Sequence, residues 1–124
     1  MVREAIAALN DRDVDRYLSL CAPDIELQSP AAALEGTHVG EAGVRRFFAQ
    51  VEESMESFRV EIESLSEAGD GRVLLDGTLT VTSATGVTMA HALHNVYDVE
   101  AGLLRRVRGF FDPEEARAAA AEPG

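Results

Sequence analysis

The sequence predicts an α+β domain: a group of short helices followed by a meander of long strands. Three observations carry this. Val44, Phe47, Phe48, Val51 and Met55 recur at i, i+3, i+4, i+7 and i+11, an amphipathic helical stripe. From Phe58 onward the spacing changes to period two, segment after segment. The segments are joined by turns only a few residues long, which antiparallel neighbours allow and parallel ones do not. Helices first and strands afterwards, without regular alternation, separate α+β from α/β. A cone-shaped, curved antiparallel sheet wrapped around the N-terminal helices would enclose an apolar interior, as one domain over residues 1–124.

Val2, Ile6 and Leu9, at i, i+4 and i+7, predict the first helix, which residues 10–13 break. Asp13 is placed to cap a second short helix whose stripe is Val14, Tyr17, Leu18 and Cys21. Pro23 and Asp24 end it. Residues 25–28 form a short strand stopped by Ser29 and Pro30. Residues 31–40 read as a loop punctuated by Gly36 and Gly40, and Glu41 opens the third helix. Phe58, Val60, Ile62 and Leu65 mark the next strand, and residues 67–71 its turn. Val73, Leu75, Leu79 and Val81 alternate with Leu74, Asp76, Thr78, Thr80 and Thr82 in a half-buried strand, with Gly77 as a bend or bulge. Residues 83–86 turn the chain into the strand 87–99, and residues 100–102 form a tight hairpin into the last strand, 103–111. Asp112 and Pro113 start a terminal helix. Its alanine-rich tail, about residues 113–124, is helical in propensity and weakly anchored.

Composition narrows the partners. The net charge of −11 repels phosphate backbones, so nucleic acid is not an expected partner. Arg105, Arg106 and Arg108 are the local exception. Arg106 and Arg108 share the outer side of the last strand, where pairing with carboxylates is favoured over phosphate binding. No apolar run approaches the ~20 residues that span a bilayer, and the first ten residues do not read as a signal peptide, so no membrane is expected. The single cysteine, Cys21, allows neither an internal disulfide nor a cysteine-based zinc site, and a cytoplasmic location fits.

The strand 87–99 holds most of the chemistry. Val87, Met89, His91, Leu93, Asn95 and Tyr97 fall on one side, and Thr88, Ala90, Ala92, His94, Val96 and Asp98 on the other. Neither side reads as solvent-facing. Imidazole, amide and phenol on the inner side are equally what a pocket wall and a polar core network look like.

The order of elements and three stretches resemble the nuclear transport factor 2-like superfamily, in its SnoaL-like and ketosteroid-isomerase-like branch. The stretches are AALNDRDVDRYLSLCAPDIELQSP at 7–30, LEGTHVGEAGVRRFF at 34–48 and HNVYDVEAGLLRRVRGFFDPEEA at 94–116. They match that family's helix pair with its acidic turn, strand and proline, its G-x-x-G helix entry, and its last hairpin ending in an aromatic pair. The resemblance implies a cystatin-like conical α+β barrel with a deep pocket, and commonly a homodimer through the outer sheet face. It does not imply one activity. Where ketosteroid isomerases carry a carboxylate base, before the proline that ends the first strand, this chain has Ser29. Where the branch keeps an acid on the long strand, it has Asn95, which can donate to an oxyanion but cannot move a proton. The isomerase's oxyanion tyrosine falls near Ala5.

His91 is then the candidate base, or a rim or core histidine bonded to a neighbour. Asn95 and Tyr97 are candidate oxyanion donors, or a hydrogen-bonded core pair. The expected ligand-binding wall adds Tyr17, Ser29, Phe47, Met89, Leu93, Val107 and Phe111. His94 has opposite parity and is assigned to the outer face. His38 lies in the loop near the expected mouth, and Cys21 reads as an apolar filler. No metal and no cofactor is expected. Three readings follow: a binder of a small, largely apolar molecule; an isomerase or cyclase with His91 as base; and a non-catalytic dimerisation or partner-binding module.

Overall fold

The spacing of Val2, Ile6 and Leu9 becomes the buried face of helix α1 (Val2–Asn10) in the computed structural model, which describes residues 1–30, 36–69 and 71–122. Helix α2 (Val14–Ser19) is capped as its sequence predicts: the Asp13 carboxylate accepts the Arg16 N–H at 3.1 Å. Cys21 does not continue that helix. It opens strand β1 (Cys21–Gln28), with its S–H donating to the Tyr17 carbonyl at 3.3 Å. Pro23 and Asp24 lie in the irregular part of β1, where its pairing shifts register before Glu26. Strand β2 (Thr37–Val39) occupies part of what reads as loop, three residues being too few to show a period; residues 31–35 of that loop lie outside the described residues. Gly40, at φ +70°, turns the chain into helix α3 (Gly40–Ser54), which buries Val44, Phe47, Phe48 and Val51. Met55, expected on the same stripe, is the first residue of β3 (Met55–Ala68). Strands β4 (Arg72–Ser83), β5 (Thr88–Glu100) and β6 (Leu103–Phe110) complete the meander, and helix α4 (Pro113–Ala120) follows.

The six strands form one curved sheet in the order β2-β1-β6-β5-β4-β3. Among the described residues only β1 and β6 run parallel. Among the described residues β2 and β3 are the edges of this sheet, so the cone is not closed. Helices α1 to α3 cover the inner face and share one apolar core with it. At the β3 edge the Asn10 side chain stands in for a missing strand. Its amide donates to the Val60 carbonyl at 2.9 Å and accepts the Val60 N–H at 2.8 Å.

Two irregularities set which side chains face inward. Opposite Gly77 the extra residue is Glu63 on β3, so the bulge sits on the neighbouring strand and the glycine makes room for it. The β4–β5 register runs unbroken from Arg72↔Asp98 to Thr82↔Thr88, and the parity read for β5 therefore holds along its length. Arg105 is the bulged residue of β6, which brings Leu104 and Val107 to the same face although they are three apart.

The tail is held more firmly than its composition suggests. Asp112 caps α4 by accepting the Glu114 N–H at 2.9 Å. Ala116, Ala119 and Ala120 are buried against Val96 on the outer face, with Ala68, Leu74 and Phe110 around them. Small side chains let the helix approach the sheet closely, and an ion-pair cluster fixes its end. Glu122 meets Arg108 at 3.0 Å and Arg106 at 3.6 Å, and its carbonyl accepts from Arg72. The hydrogen bond from Arg108 holds the Glu122 carboxyl below the usual carboxylate range. The same three arginines converge on Asp98, and Arg105 pairs with Asp24 and Glu100, so the cluster of Arg105, Arg106 and Arg108 is paired with carboxylates. Among the described residues no helix is long and apolar enough to cross a membrane.

Candidate functional site

Between α3 and the inner face of the sheet lies an apolar cleft. Its floor is Leu93, Asn95 and Tyr97 on β5, with Leu79, Val107 and Gly109 on the flanking strands. Phe58 and Val60 wall it at one edge and residues 27–30 at the other. Leu9, Tyr17 and Phe47 close it from the helices. Free space within this lining is about 470 Å³ including the open mouth, but only about 40 Å³ can hold the centre of a water-sized sphere. That is room for a few waters. The resting cleft is thus a narrow slot, tighter than the deep pocket the resemblance implies. Rings fill it: Tyr17 packs edge-on against Phe48 at 5.4 Å, and Phe47 against Phe58 at 6.5 Å.

Polar groups converge at one place in the slot. The Asn95 amide donates to the Tyr97 hydroxyl oxygen at 3.0 Å, both residues being buried. That phenol oxygen acts as acceptor, which leaves its O–H hydrogen and the Asn95 carbonyl oxygen as the pair's donor and acceptor. Burial pushes the Tyr97 phenol up to about 12, with the Asn95 hydrogen bond opposing it. Burial, with Tyr97 and Cys21 nearby, raises the Tyr17 phenol well above its ordinary value. Both phenols are therefore neutral donors at physiological pH. Burial also raises the Cys21 thiol to about 11, which keeps it protonated and unreactive. No carboxylate and no imidazole lines the slot among the described residues. The site can hold a carbonyl or hydroxyl group, and among the described residues lining it there is no group that would accept a proton near neutral pH.

Of the residues expected to form the site, Tyr17, Ser29, Phe47, Leu93, Asn95, Tyr97 and Val107 are brought together around the slot. Met89, His91 and Phe111 do not line it. They sit toward the sheet end, with Met89 51% and Phe111 38% exposed, and the His91 ring lies 5.1 Å from that of Phe111. Parity puts His91 and Met89 on the inner face, as expected, but it says nothing of depth: the cleft ends at Leu93, and β5 begins beyond it. His94 is on the outer face, its Nδ1 2.6 Å from an Asp76 carboxylate oxygen. His38 is buried beside Phe47. Among the described residues no three His, Cys, Asp or Glu side chains are grouped to hold a metal.

Sequence reasoning missed Gly109 and Pro30. A Cβ on Gly109 would lie 2.5 Å from the Pro30 ring and 3.1 Å from the Asn95 side-chain oxygen. The glycine thus lets Pro30 close over the amide. A lone glycine inside a strand was the available signal, since it marks close backbone approach.

Several comparisons bear on this geometry. None of the curated proteins matches the chain. Among solved structures, TerC co-crystallised with polyporic acid is 29% identical, with a TM-score of 0.81 over 96% of this chain and 94% of that one. An NTF2-like protein of unknown function from Burkholderia pseudomallei is 26% identical, with a TM-score of 0.81 over 98% and 95%. A ketosteroid isomerase-like protein from Catenulispora acidiphila, in complex with trimethylamine, is 16% identical, with a TM-score of 0.79 over 98% and 92%, which speaks for the fold alone. The SnoaL-like domain model matches residues 2–107, every element from α1 into β6. Helices packed on an open mixed sheet, a slot between them, and a family match over most of its length place this chain in the SnoaL-like domain family.

Proposed function

We propose that this chain binds a small, flat, largely apolar molecule in the slot, with a carbonyl or hydroxyl group held at Asn95 and Tyr97, and that it does so without proton transfer by the slot's own side chains. The observation that carries this is the convergence of an amide and a neutral phenol in an apolar cleft whose described lining has neither carboxylate nor imidazole. The likeness to TerC, which was co-crystallised with polyporic acid, supports a planar ligand. No observation favours His91 as a base, since its ring stacks near Phe111 outside the slot.

A calorimetric titration with polyporic acid tests the proposal, beside a thermal-shift series with other flat aromatic carbonyl compounds. The wild-type chain is expected to bind, and Asn95→Leu and Tyr97→Phe each to weaken binding about tenfold, the worth of one hydrogen bond at ~1.4 kcal/mol. If no compound of the series shifts the wild-type melting temperature, the slot is ordinary core and the proposal fails.

We further propose a homodimer through the outer sheet face. Helix α4 covers one part of that face, and the small side chains Thr78, Thr80, Ala90 and Ala92 lie beside it, exposed or half-buried. Small side chains on this face leave room for the sheet of a second copy to approach closely. Sedimentation at micromolar concentration is expected to give twice the chain mass, and Ala92→Arg to halve it. A monomer mass for the wild type overturns the dimer.

A further inference from the structure

We propose that His38 is a second polar anchor of the slot, reached when the Phe47 ring turns aside. This rests on the binding function proposed above and narrows its ligand to flat molecules with hydroxyl or carbonyl groups at two separated positions. The argument starts from the size of the cleft. Only about 40 Å³ is open to water-sized spheres, so any ligand larger than a few waters must displace a wall. Phe47 is such a wall, and directly against it, edge-on at 5.7 Å, lies the His38 ring. His38 pairs with Leu27 across β1 and β2, and Leu27 also lines the slot.

His38 is only 4% exposed, and neither of its ring nitrogens has a hydrogen-bond partner among the described residues. Buried polar groups almost always find a partner, so an imidazole with two open nitrogens points to one that arrives with a ligand. Nor can the ring easily leave for water. Helix α3 lies on the His38 backbone at Gly43, where an added Cβ would be 2.7 Å from the His38 carbonyl carbon. A neutral imidazole offers one donor and one acceptor, the complement of a hydroxyl beside a carbonyl. With Asn95 and Tyr97 across the slot, the site would grip both edges of a planar ring system.

The test uses the full chain and two probes. Polyporic acid carries hydroxyl and carbonyl groups on opposite edges of a flat ring, and 4-hydroxybiphenyl carries one hydroxyl. His38→Phe is expected to weaken polyporic acid at least tenfold and to leave 4-hydroxybiphenyl within twofold, while His38→Gln, which keeps a donor and an acceptor, recovers part of the loss. On titration with polyporic acid the ring nitrogen resonances of His38 should move, and those of His91 and His94 should not. Should His38→Phe not fold, His38→Gln and the resonances decide. Binding of polyporic acid by wild type with stationary His38 resonances, or equal affinity in His38→Phe, overturns the anchor and leaves the binding function standing. Failure of both probes to bind the wild type removes both.

Discussion

Gly77→Ala is expected to lower the melting temperature by on the order of 10 °C, although it adds one methyl group to the middle of a strand. A Cβ at Gly77 would lie 2.1 Å from the Glu61 carbonyl oxygen and 3.2 Å from its carbon. The obstacle is backbone, so no rotamer change relieves it. The Glu61 carbonyl belongs to the segment of β3 that bulges at Glu63, and moving it means undoing the bulge. That in turn would shift the register of β3 on β4 and carry Phe58 and Val60 out of the slot wall. Overpacking of this kind costs about 3 kcal/mol, and each kcal/mol is worth roughly 4 °C for a chain of this length. Thermal unfolding of Gly77→Ala beside Gly69→Ala checks it. Gly69 has nothing within 4 Å of its added Cβ, so its variant should melt within a degree or two of wild type. Equal melting of the two variants would show that β3 yields at the bulge at no cost.

The same glycine shows where sequence reasoning succeeded and where it stopped. A lone glycine in a strand announces a close approach, but it does not say which chain approaches, and here the extra residue is on the partner strand. Helix periodicity was legible because one face of α3 meets the core from Gly43 to Val51, and strand parity on β5 because its pairing with β4 has no interruption. Depth was not legible. Met89, His91, Leu93 and Asn95 share one face, yet only the last two lie under the helices, because the reach of α3 over the sheet is set by packing distant in sequence. The sheet's open edge escaped notice for a similar reason: Asn10 reads as a helix breaker, and its second role at Val60, fifty residues away, leaves no local trace. Alanines of the tail read as helical propensity without an anchor, since the Glu122 cluster that fixes them draws on Arg72, Arg106 and Arg108 from two strands.

Raising the pH from 10 to 12 is expected to remove about 2 kcal/mol of folding stability through Tyr97 alone, with Tyr17 adding to the loss. The Tyr97 phenol titrates at about 12 in the fold, above its ordinary value of about 10. Its neutral form is thus favoured by the folded chain. Below pH 10 both states keep the proton and the stabilisation is complete. Between 10 and 12 the unfolded chain gives up the proton while the folded one retains it, so stability falls with pH by at most about 1.4 kcal/mol per unit. Above 12 the contribution is gone. Tyr17 is shifted in the same direction by its burial. The chain has two tyrosines and no tryptophan, so tyrosinate absorbance reports these two phenols and nothing else. Urea unfolding followed between pH 8 and 11.5 should show a midpoint that falls steeply above pH 10, with tyrosinate absorbance appearing only as the chain unfolds. Tyr17→Phe should reduce the slope by about one proton. Tyrosinate forming near pH 10 in a chain that keeps its circular dichroism would mean that water reaches the phenols, and then the slot could not present Tyr97 as a buried donor. The alkaline limit of the fold and the donor proposed to hold a ligand's carbonyl are thus one property of Tyr97: a phenol that the folded chain keeps protonated because its burial beside Val107, Leu93 and the helices disfavours the charged form.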